Sequence, residues 1–71
     1  MKIILTTHAK IRMSERDISH KDVEACVMRP ERVIAVSERI HRFQKSLAHG
    51  TIEVVAEVRG SHYIIITVYP L

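Results

Sequence analysis

Apolar positions along the chain change their period once, at Pro30. Before it the spacing is helical: Ala9 and Met13 lie four apart, and Val23, Cys26 and Val27 share one side of a second helix. Thr7 is placed to cap a first helix from His8 to about Arg16. Ser19-His20-Lys21-Asp22 has the form of a capping box opening the second, and Met28-Arg29-Pro30 should end it, because proline disfavours helical geometry in the preceding residue. After Pro30 four runs rich in β-branched or aromatic residues read as strands: RVIAVS, IHRFQKSL, TIEVVAEV and HYIIITVY. Glu38-Arg39, His49-Gly50 and Gly60-Ser61 separate them as two-residue turns. The expected architecture is a single α+β domain over residues 1–71, with two N-terminal helices covering one face of a four-stranded antiparallel meander.

Those turns imply a register. Counting back from His49-Gly50 sets Lys45 opposite Val54, and counting forward from Gly60-Ser61 sets Val54 opposite Thr67. Lys45, Thr67 and Tyr69 then share a face with Ile34, Val36, His41, Phe43, Leu47, Ile52, Ala56, Tyr63 and Ile65.

Composition narrows the class. Apolar residues are 46% and charged residues 27% of 71, the balance of an ordinary globular domain. A chain this short buries only roughly 60% of its unfolded surface, so self-association or a partner would help it fold. No apolar run is long enough to span a bilayer, and only three apolar residues follow Lys2, which points to no membrane and a cytoplasmic location. A single cysteine, Cys26, makes no internal disulfide and fits a reducing compartment. The formal charge of +3 divides as seven basic against five acidic side chains through Arg32 and four against three after it. Anionic partners are compatible with that balance, and neither half is a basic tail.

Candidate chemistry begins with His8, Arg12 and Arg16. Four-residue spacing aligns them in one stripe on the first helix, near free N–H groups of its opening turn. Arginine offers a planar fork to phosphate oxygens, and histidine suits proton transfer near neutrality. From spacing alone, a solvated basic face balanced by Glu15 is the better reading. Lys45, flanked by Phe43 and Leu47, must snorkel out or meet an anion. Thr67 and Tyr69 can donate to a phosphate, and Tyr69 can stack on a base, although both are also common strand residues. The five histidines form no HExxH pair or Cys/His knuckle, so neither metal nor cofactor is expected. Cys26 lies on an apolar helix side, where a buried thiol is expected rather than a nucleophile.

THAKIRMSERDIS followed by a second helix, RPERV, RFQKSL and IIITVYP together resemble the small bacterial and archaeal proteins of domain of unknown function 4258, over nearly the whole chain. One departure is Asp17, where the family pattern leads one to expect glycine. The resemblance extends to the barnase/colicin/RelE-like ribonuclease fold, many of whose members are toxins of toxin–antitoxin pairs. It implies RNA cleavage without a metal, with active-site roles at His8, Arg12, Lys45, Thr67 and Tyr69. Arg16 belongs to the matching segment, with RNA contact and a structural role equally open. In that expectation His8 transfers a proton, Arg12 and Lys45 hold the phosphate, Thr67 positions it, and Tyr69 donates a proton or stacks. The partners implied are RNA and an acidic antitoxin. The rival expectations are a non-catalytic RNA- or protein-binding module and an interaction protein that pairs through an exposed strand edge.

Overall fold

A computed structural model describes residues 1–71. The elements are β1 (Lys2–Leu5), α1 (Thr7–Glu15), α2 (His20–Met28), β2 (Arg32–Ala35), β3 (Ile40–Leu47), β4 (Gly50–Arg59) and β5 (His62–Pro70). They form one sheet in the order β1-β5-β4-β3-β2, antiparallel except for the parallel pair β1–β5. The fold is therefore mixed α+β with two helices, but the sheet has five strands rather than four. Lys2–Leu5 is too short to announce itself by alternation, and its partner, His62–Ile65, lies at the other end of the chain. The two come together only when the chain returns through both helices and β2, β3 and β4.

α1 begins one residue earlier than its apolar spacing suggests, with Thr6 rather than Thr7 as its cap. Thr6 Oγ1 accepts from the Ala9 N–H at 3.1 Å and donates to the Ile65 carbonyl at 2.7 Å, joining the helix start to β5. The helix ends through Asp17, at φ 55°, with the Ile18 N–H bonded to the Met13 carbonyl at 2.9 Å. This is a Schellman closure, which places an L-residue where glycine is preferred. α2 opens with the expected capping box: Ser19 Oγ accepts from the Asp22 N–H, and Asp22 accepts from the Ser19 N–H. Val23, Cys26 and Val27 are its buried residues.

Both helices lie on one face of the sheet, α1 along β5 and α2 across β3 and β4. The core between them comprises Ala9, Met13, Ile18, Val23, Cys26 and Val27 from the helical half, and Phe43, Ile52, Val54, Ala56, Ile65 and Val68 from the sheet.

The sheet register departs from the expected one at three places. The β3–β4 pairing ends at Leu47 opposite Gly50, so Ala48-His49 is the turn and Lys45 faces Ile52. A slip of two keeps every side chain on its expected face. Between β2 and β3, Val36 donates to the Ile40 carbonyl, so Ser37, Glu38 and Arg39 form the turn. That slip of one carries Ile34 and Val36 to the opposite face. The third departure lies in β5. From Arg59 opposite His62 the pairing runs as expected to Ala56 opposite Ile65, then Ile66 bulges and Val55 meets Thr67. One inserted residue reverses the facing of everything beyond it. Thr67 and Tyr69 project from the helix-free face, while Lys45 stays on the helix side.

Candidate functional site

The expected grouping of Lys45 with Thr67 and Tyr69 is thus corrected by a bulge that the residue pattern does not reveal. Lys45 Nζ donates to the Arg29 carbonyl at 2.8 Å, closing the C-terminus of α2, where a cation is favoured. It acts there as a cap on β3, two strands away from β5.

His8 is exposed in the first turn of α1. Arg12 pairs with Glu15 at 2.9 Å, the counter-charge that the solvated-face reading named. Arg16 Nη1 donates to the Val68 carbonyl at 3.3 Å. The Leu71 N–H bonds to Thr51 across the β4–β5 ladder, so by the antiparallel alternation the carbonyl of Val68 points to the outer edge of β5. The His8–Arg12–Arg16 stripe consequently runs beside that edge, past the end of β1. Arg16 has a structural bond there, helping to satisfy a strand edge left open where β1 stops.

On the other side of the same edge stand Thr67 and Tyr69, both half-buried. Their neighbours across the helix-free face are residues that the pattern did not single out. Tyr69 lies opposite Glu53, which lies opposite Gln44; Thr67 lies opposite Val55, which lies opposite Arg42. Glu53 is the one charged residue that is fully buried. Its Oε1 accepts from Arg42 Nε at 3.0 Å and Gln44 Nε2 at 2.6 Å, with Arg42 Nη2 in ion-pair contact at 2.9 Å, whereas its Oε2 is buried without a partner. Burial works to raise the Glu53 carboxyl, but the hydrogen bonds from Arg42 and Gln44 and the guanidinium charge outweigh it and hold the group below its ordinary value. The same bond and charge raise the Arg42 guanidinium.

The Glu53 side chain is 0% exposed against 38% for Arg42. A buried anion therefore grips one side of a guanidinium that still reaches solvent, and Nη1 keeps its donors free. Such an arginine is held in place before any anion arrives, which is the condition for strong electrostatic stabilisation. Arg42 and Thr67 sit two strands apart, about 10 Å between backbones. The long arginine side chain and a phosphate between them match that span. The sequence signal for this block was Glu53, set between Ile52 and Val54 in the run TIEVVAEV and facing the Arg-x-Gln alternation of the preceding strand.

Two other features fall away from this face. Burial pushes the Cys26 thiol up to about 11, and its Sγ donates to the Phe43 carbonyl at 3.3 Å, so it is an inert core group. A surface depression lined by Lys21, Glu24, Ala25, Met28 and Arg29 lies along α2 and contains none of the candidate residues. No helix is long and apolar enough to cross a membrane.

No match was found among curated proteins or among solved structures. A family model does match, over residues 5–70, nearly the entire fold from the end of β1 to the end of β5 and including every candidate residue discussed above. The chain belongs to the family described as Domain of unknown function (DUF4258).

Proposed function

We propose that the protein acts on RNA as a metal-independent endoribonuclease, with the strand lying on the helix-free sheet face and crossing the outer edge of β5 towards α1. The observation that carries this reading is Arg42, fixed by buried Glu53 in line with Thr67 and beside Tyr69. In 2′-hydroxyl attack, the O2′–P bond forms as the P–O5′ bond breaks; one group accepts the 2′-hydroxyl proton and another protonates the departing O5′. Arg42 and Thr67 would bind the phosphate as its negative charge grows. Glu53 is buried on every side and serves to position Arg42, Tyr69 is the donor or the stacking platform, and His8 is the group available to accept the proton. His8 and Arg12 would meet a flanking phosphate beyond the edge, with His8 available for proton transfer. Lys45 has no role in this version because its ammonium closes α2. A toxin of this kind would pair with an acidic antitoxin, consistent with the +3 charge of the chain.

A second reading is favoured by the complete burial of Glu53. With no exposed carboxylate on this face to accept a proton, the face binds RNA through Arg42 without cleaving it.

The deciding experiment incubates RNA with the protein in EDTA and reads the product ends, with Arg42→Ala, Glu53→Gln and His8→Ala alongside. The nuclease reading expects 2′,3′-cyclic phosphate ends, with a loss of roughly 10²-fold when Arg42 is removed. Salt-dependent binding without products, weakened uniformly and with a salt slope lower by about one in Arg42→Ala, supports the binding module instead. Neither cleavage nor binding by the folded protein refutes both readings.

A further inference from the structure

Arg32 stands on the helix-free face, one strand outward from the Arg42 cluster. It lies opposite Gln44 in the β2–β3 ladder, as Ile34 lies opposite Arg42, so the two arginines are diagonal neighbours with Cβ atoms roughly 7–8 Å apart. Arg32 is exposed and makes no ion pair within the chain. Its face offers it no free carboxylate either. Glu53 is buried and held by Arg42, and Glu57 is bonded to Arg59 at 2.7 Å.

The charges of this face define a direction. Along the strands from Arg42, the next row one way carries the anion Glu57, opposite Ile40. The rows the other way carry Gln44 with Glu53, then Ser46 with Thr51, none of them a cation. Across the strands, Arg42 is followed by Arg32 on β2 and, in the opposite sense, by Thr67 on β5 and the His8–Arg12 stripe past its edge. Ile34, Val55 and Tyr69, each half-buried, supply apolar and aromatic surface along that path.

We propose that Arg32 is a second phosphate contact of this face, and that its ligand is a single RNA strand crossing β5, β4, β3 and β2. The assignment rests on the reading that the face binds RNA, and it names the form of that RNA. A duplex turns phosphates and 2′-hydroxyls outward and keeps its bases paired inside, so it has nothing to lay on Ile34, Val55 and Tyr69. The unstacked bases of a single strand can lie on such side chains while its backbone follows the cations. Arg42 is fixed by Glu53, whereas Arg32 is free to follow the next phosphate, giving up only water when it binds.

Fluorescence anisotropy with a 2′-O-methyl oligonucleotide, which lacks the attacking hydroxyl, measures binding apart from cleavage. Titrations over a range of salt compare the wild type with Arg32→Ala, Arg32→Lys and Arg42→Ala. Lys21→Ala removes an equal charge from α2, on the other face of the sheet. Arg32→Ala should weaken binding by roughly tenfold. It should also lower the slope of log K against log salt by about 0.7, the value for one phosphate contact on a single strand. Arg32→Lys should keep the slope, Lys21→Ala should match the wild type, and the same oligonucleotide annealed to its complement should bind more weakly. Circular dichroism checks that each variant is folded. If Arg42→Ala weakens binding while Arg32→Ala matches the wild type, the second contact is refuted and the RNA reading stands. An equal loss in Lys21→Ala also refutes it, because the effect is then one of net charge. A duplex bound as tightly as the single strand overturns the single-strand assignment. A folded wild type that binds neither form refutes the RNA reading and this assignment with it.

Discussion

Replacing Glu53 with glutamine removes one charge from the sheet and changes little in shape. In the wild type, Oε1 accepts two hydrogen bonds, at 3.0 Å from Arg42 and 2.6 Å from Gln44, and pairs with the Arg42 guanidinium at 2.9 Å. Glutamine keeps an acceptor there, but the ion pair with Arg42 is lost and the bond from Gln44 becomes neutral, and hydrogen bonds to a charged group exceed neutral ones by about 1 kcal/mol. The amide nitrogen then occupies the place of Oε2, which is buried without a partner, adding an unsatisfied donor at a cost of about 1–3 kcal/mol. Relief from burying a charge offsets part of the sum, leaving a net loss of about 2 kcal/mol. For a domain of this size that lowers Tm by roughly 8–16 °C.

The acid dependence follows from the direction of the Glu53 shift. Because the folded carboxyl is held below its ordinary value, the stability it contributes is fully present above the unfolded value, near about 4.3, and is lost as pH falls through the lowered folded value. Thermal melts followed by circular dichroism at neutral pH and in steps below about pH 5 should show the wild type losing Tm faster than Glu53→Gln, so that the two curves converge in acid. Equal melting temperatures at pH 7, with no convergence below pH 4, would show that the buried carboxylate does not stabilise this face.

Three further outcomes are expected. Asp17→Gly relieves the left-handed backbone at φ 55° and should raise stability by roughly 0.5 kcal/mol, after the greater freedom of unfolded glycine is subtracted; a fall in Tm contradicts the Schellman closure. Thr6→Ala should cost about 1–2 kcal/mol, since it removes the cap on Ala9 and the bond to Ile65, whereas Thr7→Ala should stay within about 0.5 kcal/mol; chemical denaturation of the pair distinguishes the two threonines. Cys26 should react with a thiol reagent only as fast as the protein unfolds, so rapid modification of the native protein, read by mass spectrometry, refutes its burial.

Local chemistry made much of the architecture readable. The capping box at Ser19 and Asp22, the stop before Pro30 and the strands after it all depend on residues within a few positions of one another, and they fall where the pattern puts them. The faces of Lys45, Phe43 and Ile52 also survive, because a turn displaced by a full pleat preserves alternation. Beyond a cap and a turn each displaced by one residue, what failed depended on distant pairing. β1 has only four residues and acquires its identity from β5, so no local period marks it.

The candidate site shows the same division more sharply. His8, Arg12 and Arg16 could be placed in one stripe because helical spacing is local. Counting from the turns puts Thr67 and Tyr69 on the wrong face, because the bulge at Ile66 is a property of how β5 fits β4, and a single extra residue inverts every side chain after it. The same inversion assembles Arg42, Gln44 and Glu53 with them, a set drawn from three strands and joined only in the folded sheet. Residue spacing thus determined the helices, the cap of α2 and most of the strands of this protein. Tertiary structure alone decided which polar groups meet, because strand pairing depends on register and register is settled by contacts between segments far apart in the chain.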